Sequence, residues 1–88
     1  MPTISRFYGI TIIMYYREGL NEDPHFHVKY AEYNAKISIQ DLRIMKSKLP
    51  PRALGLVIEW ASKHQEELMD NWKKIVNRES LEKIEPLK

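Results

Sequence analysis

The chain has 88 residues, with 14 Lys+Arg, 12 Asp+Glu, three His and no Cys. That allows one small domain, spanning residues 1–88, with a thin core, and excludes disulfides, thiolate metal cages and a cysteine nucleophile. A net charge of +2 and a pI near 8.9 are too mild for a chain dedicated to nucleic acid, and the longest apolar stretch, residues 10–16, is far short of the ~18–20 residues of a bilayer span, so a soluble cytoplasmic protein is expected.

In chain order, the first half is rich in β-branched and aromatic residues with period-two patterning, and predicts four strands within residues 4–45. The first covers residues 5–16. Alternation along it sets Arg6, Tyr8, Ile10, Ile12, Met14 and Tyr16 on one face and Ser5, Phe7, Gly9, Thr11, Ile13 and Tyr15 on the other. A loop over residues 18–24 follows, built from Gly, Asn, Asp and Pro. Residues 25–30 and 33–40 form the next two strands, joined through Ala31-Glu32 as a tight hairpin. Residues 42–45 are a weaker fourth.

Past Pro50-Pro51 the pattern turns helical, and one long helix over about residues 51–77 is predicted, with Pro51 at a first-turn position. Leu54, Val57, Ala61, Leu68, Trp72 and Ile75 form its apolar stripe, which should lie on the sheet. The tail, residues 78–88, is charged, but Leu81, Ile84 and Leu87 recur every third residue, so part of it should dock. The expected fold is α+β, a small antiparallel sheet of about four strands covered by one long C-terminal helix.

Three histidines carry the candidate chemistry. Alternation places His25, His27 and Lys29 on one strand face, with Phe26, Val28 and Tyr30 on the other. His-x-His on a strand suits a metal pair, an acid–base pair, or simply the polar side of a half-exposed strand. His64 lies near the apolar stripe, in a row with Trp60, Glu67 and Asn71. It is either a core histidine with a hydrogen-bond partner or part of a polar pocket facing the sheet. Three His without Cys predict no tightly bound structural metal, and no cofactor motif appears.

Arg6, Tyr8, Lys29, Tyr30, Tyr33 and Lys36 mix basic and aromatic groups on strands, as single-strand RNA binders do. Arg6 and Tyr8, however, share their predicted face with Ile10 and Ile12. Lys46, Lys48 and Arg52 make a second basic cluster at the helix entrance, where a phosphate would also meet the helix N-terminus.

A set of ordered motifs resembles the small prokaryotic family called domain of unknown function 4160. These are Pro2-Thr3-Ile4-Ser5-Arg6-Phe7-Tyr8-Gly9-Ile10, Met14-Tyr15, Pro24-His25-Phe26-His27-Val28, Leu49-Pro50 with Arg52-Ala53-Leu54, and Glu59-Trp60 with His64, Glu67-Leu68 and Asn71-Trp72. The resemblance implies a single small domain encoded beside a protein of the domain of unknown function 2442 family, in an arrangement like a toxin–antitoxin operon, and hence a protein partner. Many relatives carry a further His and a double proline before the His-x-His strand; here Asn21 and Asp23-Pro24 hold those places, which lowers the case for a three-His metal site.

The expected function is therefore one component of a toxin–antitoxin-like pair acting through a protein partner, as an RNA-cleaving or RNA-binding toxin. In a metal-independent ribonuclease His25, His27 and His64 would be the acid–base groups, and Arg6, Tyr8, Lys29, Arg52, Trp60 and Asn71 the binding residues. The alternative is a non-catalytic regulatory or scaffolding module that docks a partner through the sheet edge or the Trp60/Trp72 face. His25 and His27 are expected to weigh more on function than on folding, and His64 on both.

Overall fold

The apolar run from Ile4 to Met14 doubles back on itself. In the computed structural model, which describes residues 3–16 and 22–88, strands β1 (Thr3–Phe7) and β2 (Ile10–Ile13) pair antiparallel, with Phe7 opposite Ile10. The reversal is made by Tyr8 and Gly9, whose φ angles are 49° and 80°. Positive φ at both central residues is the two-residue hairpin turn whose twist matches that of the strands. The single strand expected over residues 5–16 is thus a hairpin. Part of the expected loop, residues 18–21, lies outside the described residues.

Strands β3 (His25–Tyr30) and β4 (Tyr33–Ser38) form the hairpin read from the sequence, closed at Tyr30 opposite Tyr33. Ala31 bears the positive φ of that turn, at 52°, a conformation that costs an L residue roughly 1–2 kcal/mol and glycine almost nothing. Ala31→Gly should therefore raise the melting midpoint, by the equivalent of about 0.5–1 kcal/mol once the looser unfolded chain is allowed for. A lowered midpoint would show that the turn is not strained.

Strand β5 (Ile44–Ser47) completes a five-stranded antiparallel meander in chain order, one strand more than expected. Ile10, Ile12, Phe26, Val28, Ala35 and Ile37 face the core. Alternation sends Thr11, Ile13, His27, Lys29, Asn34 and Lys36 to the other side.

The expected long helix is two, α1 (Pro51–Lys63) and α2 (Gln65–Val76), interrupted at His64, where φ is −131°. There the His64 amide donates to the Ala61 carbonyl at 3.0 Å, a tightened turn, while the His64 carbonyl accepts the first α2 bond from Leu68. Two further contacts favour a restart. Glu66 and Glu67 sit in the first turn of α2, where the helix dipole favours anions. The Gln65 side chain donates to the Ile39 and Gln40 carbonyls at 2.9 and 3.2 Å, tying this point to the end of β4. The expected stripe holds across the break, with Val57, Ala61, Leu68, Trp72 and Ile75 all buried on the sheet side.

The tail docks along its length. Ile84 is buried, and its amide donates to the Ile4 carbonyl at 2.9 Å, covering the outer edge of β1. Asn71 clamps Glu82 through both backbone groups, donating to its carbonyl at 2.8 Å and accepting from its amide at 3.0 Å. Among the described residues no helix is long and apolar enough to cross a membrane.

Candidate functional site

Phe26 and Val28 point into the core, so His27 and Lys29 emerge on the sheet face that α1 leaves uncovered. His25 opens β3 at the end of the sheet overhung by α2. It is 1% exposed, its ring 5.1 Å from that of Trp72. Its Nδ1 lies 2.8 Å from the Asp23 carbonyl oxygen. A carbonyl only accepts, so Nδ1 carries the proton in this contact.

Next along the face stands His27, half-buried, with ring centroids 5.1 Å from His25 and 4.9 Å from Tyr15, both edge-on. Tyr15, His27, His25 and Trp72 thus form a continuous aromatic row. Cross-strand, His27 lies between Ile13 and Lys36, and Lys29 between Thr11 and Asn34. Lys36 donates to Glu22 at 3.3 Å, which brings the segment before β3 onto this face.

His64 lies apart from this row. It stands eight positions before Trp72, about 12 Å along the helix axis. Its Nδ1 meets Glu67 Oε1 at 2.7 Å and its ring lies 5.4 Å from Trp60. A shallow hollow of about 250 Å³ adjoins it, lined by Lys63, Glu85 and Lys88 among others. There Lys88 donates to Glu85 at 2.9 Å, which holds the Glu85 carboxyl below its ordinary range and the Lys88 ammonium above its own. The three histidines therefore do not converge on one catalytic centre.

The expected binding residues separate in the same way. Arg6 is exposed and pairs with Thr11, on the uncovered face and not with Ile10 and Ile12, because the Tyr8-Gly9 turn resets the alternation. Tyr8, 62% exposed, and Arg52 belong to a different place, a cleft of about 490 Å³ that Tyr30, Leu56 and Leu87 also line. Trp60 and Asn71 are turned inwards: Trp60 is 0% exposed and donates its indole N–H to the Glu85 carbonyl at 2.8 Å, as Asn71 holds Glu82. Trp72 is also buried, so the expected Trp60/Trp72 docking face is core. Of the row, Tyr15 has no site role in the sequence reading, and Trp72 has one there only in the docking face. Alternation from Thr11 and Ile13 was the signal for Tyr15.

Among the described residues no three His, Asp or Glu gather closely enough to hold a metal. Asn21 lies outside the described residues.

The profile of the family described as Domain of unknown function (DUF4160) matches residues 9–73, most of the chain. The chain belongs to the DUF4160 family. The part of this DUF4160 chain that matches contains the Tyr15–His27–His25–Trp72 row and His64, while β1 and the docking tail lie outside it. No curated protein and no solved structure matches the chain.

Proposed function

We propose that this chain is one half of a prokaryotic, cytoplasmic toxin–antitoxin-like pair, works with a partner of the domain of unknown function 2442 family, and acts on RNA at His27. The pairing draws its support from the family resemblance. The chemistry rests on one observation: His27 is held edge-on between Tyr15 and a buried His25, on the uncovered sheet face beside Lys29 and Lys36.

A strand-borne imidazole backed by packed rings is presented with little freedom, as a general base requires. His27 takes the proton of a ribose 2′-hydroxyl, whose oxygen attacks the adjacent phosphorus. The bond to the 5′-oxygen breaks, and that oxygen takes a proton from water. Lys29 and Lys36 offset the negative charge that builds on the phosphoryl oxygens. His25 acts as a positioning residue, and His64 has no part in the step.

The test is to express the chain alone and with its neighbour-encoded partner, and to incubate purified chain with RNA. Growth arrest relieved by the partner, together with RNA cleavage, is the expected result; normal growth with intact RNA would overturn the reading. The second reading, a non-catalytic regulatory or scaffolding module, is favoured by the cleft at Tyr8, Tyr30 and Arg52. Partner binding without turnover, lost in Arg52→Glu, would select it.

A further inference from the structure

The five strands carry four charged residues, Arg6, Lys29, Lys36 and Lys46, and all are cations. Among the described residues, no Asp or Glu falls on a strand. Register puts the four on one face. Arg6 is opposite Thr11, Thr11 opposite Lys29, and Lys29 opposite Asn34; Lys36 is two residues further along β4 and opposite Lys46. That is the face which the helices leave uncovered.

Lys36 and Lys46 are direct cross-strand neighbours, and like charges in that position repel. Glu22 reaches Lys36 at 3.3 Å. A sheet that gathers cations on one side, two of them opposed, is built to meet a polyanion. With strands about 4.8 Å apart, Arg6 on β1 and Lys46 on β5 are roughly 19 Å from each other, the span of several nucleotides. At one end of this field stand the half-buried rings of Tyr15 and His27.

Of the large exposed hydrophobic side chains, Ile44 is opposite Ile37 and Tyr33 opposite Tyr30, on the core side, and Val76 is on α2. Tyr8 is in the β1–β2 turn, and Tyr16, beyond the end of β2, donates to the Glu79 carbonyl. Among the described residues, the strands therefore present no large exposed apolar anchor on the basic face of the kind that a lipid surface or a protein hot spot uses. Among the described residues, no helix stands on this face to enter a duplex groove.

We propose that the uncovered sheet face binds single-stranded nucleic acid, its phosphates on Arg6, Lys29, Lys36 and Lys46 and a base against Tyr15 and His27. This deepens the RNA reading and rests on it only for the sugar. Glu22 competes with phosphate for Lys36.

The experiment is fluorescence anisotropy of a fluorescein-labelled twelve-nucleotide oligouridylate, and of the matching oligothymidylate, between about 50 and 200 mM salt. Four phosphate contacts give a slope of log K against log salt of roughly −2 to −3. Lys29→Ala and Lys46→Ala, both exposed positions, should each weaken binding several-fold and flatten the slope by about 0.7, with melting curves unchanged. Glu22→Gln should tighten binding. Tighter RNA than DNA marks a 2′-hydroxyl contact and equal affinities a backbone contact; either supports the proposal. No binding, a slope indifferent to both lysines, preference for a duplex, or equal competition by polyglutamate would overturn it. RNA bound with this slope but never cut keeps the surface and removes cleavage at His27. RNA cut with a slope that both variants leave unchanged does the reverse.

Discussion

Trp60→Ala should destabilise the fold by about 3–5 kcal/mol. At roughly 0.05–0.15 kcal/mol per residue a domain of this size holds about 4–13 kcal/mol in all, so the variant is expected to be largely unfolded at growth temperature. Trp60 is 0% exposed and joins three parts of the chain. Its ring lies 5.4 Å from Phe7 on β1 and 6.1 Å from Phe26 on β3, and its N–H fixes the tail at Glu85. Trp60→Phe keeps an aromatic ring against the sheet and loses the tail bond, for a smaller cost of about 1–2 kcal/mol. Urea unfolding of the three proteins side by side measures both effects. An alanine variant within about 1 kcal/mol of the parent would mean that this core relaxes around the gap.

Where the pattern misled, the cause is a change of parity or a contact far along the chain. Phe7 and Ile10 both face the core although three positions separate them, because a two-residue turn lies between. Read as one strand, the same residues still look regular, and only Gly9 hinted at the reversal. The break at His64 was hidden because a single non-helical residue barely shifts the apolar stripe; Glu66-Glu67 was the legible mark of a new helix start. The β3–β4 hairpin, by contrast, was readable from alternation alone, with polar and apolar sides cleanly separated. Docking of Ile84 followed from its spacing with Leu81 and Leu87. The bonds that hold the tail, from Asn71 and Trp60 to backbone groups, leave no pattern in a sequence. For the site, the shared face of His25, His27 and Lys29 was legible. That His25 would be buried was not, because Trp72, its covering ring, is 47 positions away and meets it only once α2 crosses the sheet end.

That burial separates two histidines which looked equivalent, and sets the sharpest expected contrast. His25→Ala opens a void against Trp72 and frees the Asp23 carbonyl, and should destabilise by about 1–3 kcal/mol. His27→Ala removes a half-buried ring from the uncovered face and should stay near the ~0.5 kcal/mol of a surface change. Activity should order the other way for each kcal/mol lost. Losing a general base lowers turnover by about 10²–10⁴-fold, so His27→Ala should be inactive on RNA while melting like the parent. His25→Ala should retain part of its turnover at temperatures where it is folded. Thermal melts, run in parallel with cleavage of a fluorophore-quencher RNA, measure both axes. If His27→Ala unfolds as readily as His25→Ala, both rings are packing elements and the site fails. If it melts normally and still cuts RNA at the parental rate, the base lies elsewhere on the chain. Stability kept with turnover lost is the outcome that a presented imidazole at His27 requires.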